Sequence, residues 1–141
     1  MTSDSSRVWL SVGSNHTDAA MLMDKALAAL SDVVDSMEVC EPYRTPAING
    51  VDADYLNSVA TGLYAGTHES LVAQCKAIEH ALGRSRTKAP CAPHTVEIDI
   101  DVVCFGGKIL RPSDFSRTYF TRGYNQLINR DRYGVAECFR R

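Results

Sequence analysis

The chain lacks a strong charge of either sign. Its 141 residues carry a formal net charge of −2, whereas a protein that binds nucleic acid without sequence preference needs a clearly basic surface to neutralise phosphates. No nucleic-acid partner is expected, and any anionic ligand must meet a local cluster of basic side chains. Long apolar runs are also missing. No stretch is long enough to span a bilayer, and the opening MTSDSSRVWLSVGS has neither a basic head nor a sustained apolar segment, so a cytoplasmic protein without membrane association is expected. Paired C-x-x-C cysteines are absent: Cys40, Cys75, Cys91, Cys104 and Cys138 are odd in number and far apart, which argues against zinc or redox motifs and for reduced thiols. Internal repeats and low-complexity tracts are absent as well. What remains is ordinary globular composition, 45% apolar and 23% charged, in a chain of a size that folds as a single domain over 1–141 without staples.

Periodicity supplies the elements. Val8, Leu10 and Val12 alternate with Trp9, Ser11 and Gly13, predicting a strand over 7–12. Asn15, Thr17 and Asp18 offer caps, and Leu22, Ala26, Leu30 and Val33 recur as one helix face requires, predicting a helix over 18–34. Met37, Val39 and Glu41 lead into 42-PYRTPAING, where two prolines and a glycine predict a loop. YLNSVATGLY, 55–64, reads as a strand and 68–82 as a helix with the stripe Leu71, Cys75, Ile78 and Leu82, stopped by Gly83. The basic segment 84-RSRTKAPCAPH is a loop, and 95-TVEIDIDVVCF alternates as a strand again. The order β-α-β-β-α-β predicts an α+β, ferredoxin-like arrangement, an antiparallel sheet with both helices on one face. Residues 106–141 read as loop-rich.

The last of these strands carries the chemistry. Side chains alternate along a strand, so Val96, Ile98, Ile100 and Val102 share one face while Glu97, Asp99 and Asp101 share the other. Carboxylates about 6–7 Å apart along one face are costly in a partly dry site unless cations sit between them. Two readings fit: an acidic solvent-facing strand that discourages edge pairing, or a site for a hard divalent cation such as magnesium, which takes one or two carboxylates plus substrate phosphates. The upstream loop favours the second, since Arg84, Arg86, Lys88 and His94 can meet phosphates. Carboxylates and basic groups together suit ATP with magnesium.

Four stretches in order, 10-LSVGSN-15, 43-YRTPA-47 with 54-DYLNSV-59, 78-IEHALGRSR-86 and 98-IDIDVVCFG-106, resemble the 6-hydroxymethyl-7,8-dihydropterin pyrophosphokinase family, which moves a diphosphate from ATP to a pterin alcohol in folate biosynthesis. The resemblance implies a ferredoxin-like fold. It also implies that Asp99 and Asp101 hold two magnesium ions; the distance from Asp101 to Phe105-Gly106 selects this pair over Glu97 and Asp99. Arg84 and Arg86 then correspond to catalytic loop arginines that meet ATP phosphates, Glu79 to a helix residue near the nucleotide, and Arg122 to a further phosphate contact. Thr45, Pro46, Ile48, Tyr55 and Asn57 resemble the pterin pocket, where the Asn57 amide can pair with the donor and acceptor edge, and Tyr124 can stack on the ring.

The sequence departs from the family in three places. His94 stands where the family has an arginine, with two extra residues before the metal pair; no tryptophan occurs in 87-TKAPCAP; and 113-SDFSRTYFTRGY lacks the usual proline-histidine. Beside the enzyme stand two other classes of function. One is a relative that keeps the pterin and nucleotide pocket but has weakened turnover. The other is a ferredoxin-like regulatory or RNA-contacting module, which the acidic strand face and the lack of an RNP-like aromatic pair disfavour.

Overall fold

The computed structural model describes residues 5–84 and 95–130, Arg130 by its backbone alone. Its elements are β1 (Ser6–Ser14), α1 (Ala19–Ser31), β2 (Asp35–Val39), β3 (Tyr43–Thr45), β4 (Tyr55–Tyr64), α2 (His68–Ala81), β5 (Asp99–Phe105), β6 (Lys108–Ile109), α3 (Pro112–Phe115) and α4 (Thr118–Arg130). The strands lie in the order β2-β4-β1-β5-β6, with β3 also beside β4, and every pairing is antiparallel. This is the α+β, ferredoxin-like sheet that the periodicity predicts. Among the described residues no helix is long and apolar enough to cross a membrane.

Alternation along the strands sorts the side chains into two layers. Val8, Leu10 and Val12 of β1, Ala60 and Tyr64 of β4, and Ile100 and Val102 of β5 face Leu22, Met23, Ala26 and Leu30 of α1 and Leu71 and Cys75 of α2 in one buried cluster. That cluster is the helix layer expected from the stripes. At its N-terminus α1 is not capped by Asp18, which makes no side-chain cap bond; instead His16 Nδ1 accepts the Asp18 N–H at 2.9 Å. Asn15, a candidate cap, serves elsewhere: its Oδ1 accepts from Val96 N, and its own N–H donates to Val96 O at 3.2 Å. This exchange fastens the chain just ahead of β5.

Two regions depart from the sequence reading. The loop predicted from Pro42 to Gly50 contains β3, in register with β4 through Tyr43 opposite Asn57 and Thr45 opposite Tyr55. The prolines flank this short strand without interrupting it, and its alternation, Tyr43 and Thr45 buried with Arg44 exposed, is too brief to stand out. The segment after 106, read as loop-rich, folds into β6, α3 and α4. In α4 the apolar residues Phe120, Tyr124 and Leu127 join Trp9, Cys40, Tyr43, Val59, Val103 and Cys104 in a second cluster on the opposite face of the sheet. Their spacing of four and three is helical, but Thr121, Arg122 and Asn125 are interleaved and the window is short.

Helix α4 reaches the sheet because position 123 has no side chain. A Cβ on Gly123 would lie 2.5 Å from Val59 Cγ2 and 2.7 Å from Cys40 Sγ, and Tyr43 fastens the approach by accepting the Gly123 N–H at 3.0 Å and donating to Tyr119 O at 2.5 Å. Burial pushes the Tyr43 phenol up to about 12, so it remains a donor across the working range. Gly123→Ala is therefore expected to destabilise the fold by about 1–3 kcal/mol through overpacking, outweighing the gain of about 1 kcal/mol in helix propensity. Thermal unfolding measures the sum, and a raised melting midpoint would contradict the close approach.

Candidate active site

The strand register assembles the site on the face that α4 leaves open. Gly13 on β1 lies between Asn57 on β4 and Asp99 on β5, and Ser11 lies between Val59 and Asp101. Asn57 and Asp99 thus stand two strands apart, about 10 Å, across a floor that carries no side chain at Gly13. Above this floor opens a cavity of about 400 Å³ whose walls include Thr45, Pro46, Ile48, Tyr55, Asn57, Asp99 and Asp101. Five of the six sequence-selected substrate residues and both members of the carboxylate pair therefore meet in one cavity. Glu97 precedes β5 and lies outside this wall.

Asn57 is 3% exposed, and its environment fixes which way the amide points. Its Nδ2 donates to Thr45 Oγ1 at 2.8 Å, Tyr55 O at 3.2 Å and Tyr43 O at 3.3 Å. Two of these partners are carbonyls, which only accept, so the nitrogen belongs on that side. The donor end is committed to protein, and the Oδ1 is the end left to accept from a ligand. The sequence reading allowed Asn57 both donor and acceptor roles toward a ligand; the structure narrows them to acceptor.

Around the carboxylates, charge is arranged in layers. Arg84 Nη1 donates to Asp99 Oδ1 at 2.6 Å and to Ile98 O at 3.3 Å, and lies 3.5 Å from Glu79 Oε2. Burial disfavours its charge, but the bond to Asp99 and the attraction of Asp99 and Glu79 more than offset it and hold the guanidinium above its usual range. Glu79, 4% exposed, accepts the Ile100 N–H at 2.7 Å. It thereby satisfies a backbone donor on the outer edge of β5, where β6 pairs only with Cys104 and Phe105. Burial raises the Glu79 carboxyl, with the Ile100 N–H pulling the other way. Asp101 is raised to about 7, chiefly by burial and then by the neighbouring Asp99 charge.

Such a pair fits a hard divalent cation: two oxygen-donating side chains share one face, and their mutual repulsion is relieved when positive charge arrives. Among the described residues no group of three or more His, Cys, Asp or Glu converges on one point; magnesium typically takes one or two carboxylates beside phosphate and water.

Other sequence-selected residues are not on this wall. Tyr124, expected to stack on a ligand ring, is 7% exposed and packs against Trp9 at 4.6 Å and Phe115 at 5.0 Å under α4. The helix turns it into the core, where stacking on a ligand would require unpacking. Arg122 lies over the Tyr43 ring, 4.5 Å from its centre, and is not part of the cavity wall. Arg86 and His94 fall outside the described residues. Sequence reasoning missed Ser11, Asn49, Asp52, Arg111, Asp114 and Tyr119, which also line the cavity. Asn49 could have been found from its turn chemistry: its Oδ1 accepts from Val51 N at 2.9 Å and Asp52 N at 3.1 Å, shaping the loop before β4.

Against known families, residues 9–129 match the model of 7,8-dihydro-6-hydroxymethylpterin-pyrophosphokinase. That span runs from Trp9 within β1 through nearly all of α4 and contains every described residue of the cavity wall.

The raised Asp101 has a consequence for stability. Its folded-state pKa exceeds the ordinary carboxyl value, so its contribution is complete below that ordinary value and is lost as the pH rises through about 7. Asp101→Asn, isosteric with the protonated acid, is expected to gain on the ligand-free wild type by about 1–3 kcal/mol between pH 5 and pH 8, with part of the difference already present at pH 5 because an unfolded aspartate ionises at about pH 4. Urea unfolding at both pH values checks this; parallel pH slopes for the two proteins would rule out the pair as the source.

Proposed function

The chain belongs to the 7,8-dihydro-6-hydroxymethylpterin-pyrophosphokinase family, and on that premise we propose that it transfers a diphosphate from ATP to the hydroxymethyl oxygen of 6-hydroxymethyl-7,8-dihydropterin, releasing AMP. The observation that carries this reading is a single cavity in which the Asn57 acceptor and the Asp99–Asp101 pair face the same space from strands two apart. A flat heterocycle seated between Thr45, Pro46, Tyr55 and Asn57 would present an amino or ring N–H to Asn57 Oδ1. Its alcohol arm would extend across Gly13 toward the carboxylates. Tyr55 offers an aromatic wall, half-buried in β4; burial and then Asp99 raise its phenol, which keeps it protonated.

Asp99 and Asp101 would hold two magnesium ions, which when bound supply charge neutralisation to the phosphates and to the attacking and leaving oxygens. The remaining work falls to the chain. Arg84, whose Nη1 bonds Asp99 Oδ1, would stand beside the pair where it could meet a phosphate oxygen. Glu79 would keep Ile100 and hence the outer edge of β5 in place. Arg86, His94 and Arg122 are further phosphate partners in this reading. Phosphoryl transfer asks little covalent chemistry of a protein, so positioning and electrostatics carry most of the acceleration.

A second depression of about 380 Å³ runs along the outer edge of β5 and is lined by His68, Val72, Cys75, Lys76, Ile100, Asp101, Val102, Leu110 and Arg111. It shares Asp101 and Arg111 with the first cavity, so a nucleotide lying there would bring its phosphates to the carboxylate pair.

Incubation with ATP, magnesium and the pterin alcohol, with AMP measured, tests the reading. Wild-type protein is expected to form AMP stoichiometrically with the pterin diphosphate, and Asp101→Ala to lose at least about 100-fold in turnover while keeping its ligand-free fold by circular dichroism. Binding of both ligands without AMP release would show that the chain is a binding protein and not an enzyme. A separate check uses Gly13→Val, which fills the floor beside Asn57 and is expected to abolish pterin binding while sparing that of the nucleotide.

A further inference from the structure

Three polar side chains on the wall of the larger cavity are more than nine-tenths buried: Asn57 at 3% exposed, Ser11 at 6% and Thr45 at 8%. Two of them are matched to each other, since Asn57 Nδ2 donates to Thr45 Oγ1 at 2.8 Å. Ser11 has no such match: among the described residues its hydroxyl makes no hydrogen bond. Its oxygen is not sealed inside the protein either, but reaches the cavity. Trp9, Ser11 and Gly13 share one face of β1, with Trp9 packed under α4 and Gly13 bare, so Ser11 is the side chain that β1 offers to the cavity. A hydroxyl both donates and accepts, and one that is desolvated and left unmatched is costly. What fills the cavity must therefore satisfy it.

The strand register puts Ser11 between the two ends of the site. It stands opposite Asp101 on β5, which sets their Cβ atoms about 4.5–5.5 Å apart. On its other side it is opposite Val59, which is fully buried and apolar and offers no competing side-chain bond. Asn57 is its diagonal neighbour on β4, because the partner of Asn57 on β1 is Gly13; such neighbours lie about 7–8 Å apart. Asn57 Oδ1 is the end of that amide left to accept from a ligand ring. A fused bicycle with a one-carbon alcohol arm has the reach from that oxygen, past Gly13, to the Ser11 hydroxyl. The Asn57 end thus suits the ring and the Ser11 end suits the arm, with Asp101 beside it.

We propose that Ser11 recognises the alcohol of the acceptor: its hydroxyl exchanges a hydrogen bond with the hydroxymethyl oxygen and holds that oxygen beside Asp101. This rests on the pyrophosphokinase reading and narrows it to acceptors whose arm ends in a free hydroxyl. A ligand with a methyl group in that place would cover the Ser11 hydroxyl without matching it, so selection comes from the cost of an unpaired polar group as much as from the bond itself. Ser11 orients the oxygen; it transfers no proton and forms no covalent bond.

The test titrates full-length wild type, Ser11→Ala and Ser11→Cys, without metal or nucleotide, with 6-hydroxymethyl-7,8-dihydropterin and with its 6-methyl analogue, following fluorescence. Wild type is expected to bind the alcohol about 10-fold more tightly than the methyl compound. Ser11→Ala should lose most of that preference by weakening the alcohol alone, leaving the methyl compound at least as tightly bound. Ser11→Cys restores the volume with only a weak donor and should behave like Ser11→Ala. In the AMP-release assay both variants should raise KM for the pterin and leave that for ATP unchanged. Ser11 bonds no other described side chain, so both variants are expected to melt with the wild type. A wild type that binds neither ligand or does not distinguish them overturns the proposal, as does equal weakening of both ligands in the variants, which is what a residue that merely shapes the cavity would give. Normal AMP formation with an unchanged preference in Ser11→Ala overturns the recognition and leaves the proposed function standing. Selective binding lost in Ser11→Ala, in a wild type that forms no AMP, supports the recognition and overturns the enzyme reading.

Discussion

Two carboxylates two residues apart on one face of β5 repel each other, and the surrounding structure is organised by how that repulsion is met. Arg84 lies on one side of the pair and bonds Asp99; Arg111 lies on the other and faces Asp101. Glu79, a third carboxylate, is kept from adding to the conflict at the cavity because it is spent on the Ile100 N–H and on Lys76 and Arg84. Even so, burial and the neighbour's charge raise Asp101 to about 7. A residual repulsion of this kind is what positive charge placed beside the pair relieves.

The same strand is exposed at its edge for a reason that packing makes plain. β6 covers only Cys104 and Phe105, so the stretch from Asp99 to Val102 has no strand on its outer side among the described residues. Glu79 fills one of the vacated hydrogen-bond positions from α2, and Arg84 takes the Ile98 carbonyl. Buried edge groups are thereby satisfied without a further strand, and room is left for a ligand beside the carboxylates. The price is a buried glutamate, which burial pushes toward its neutral form.

The two faces of the sheet divide the labour. The helix face is continuous and apolar from Val8 to Val12 along β1. The other face changes character along the same strand: Trp9 is sealed under α4 with Phe120 and Tyr124, while Ser11 and Gly13 line the open cavity. Gly123 sets how closely α4 can lie on the Trp9 end. Because α4 covers that end and stops there, the Gly13 end remains concave, with β3 and its following loop as the second wall.

Periodicity by itself determined the order of the main elements, the ferredoxin-like class and the common face of Asp99 and Asp101, because alternation along a strand and recurrence along a helix are local properties of the chain. The motifs likewise singled out Thr45, Pro46, Ile48, Tyr55 and Asn57, which fold onto one cavity wall. Tertiary structure decided the rest. It placed Tyr124 in the core because α4 docks through Gly123, where a motif read as a loop left the ring free. It committed the Asn57 donor through carbonyls brought in from β3 and its own strand. It put Arg111 against Asp101, ten residues away, by folding the chain back through β6. Each of these depends on which groups a distant segment brings within a few ångströms, and side-chain alternation in one strand carries no record of that.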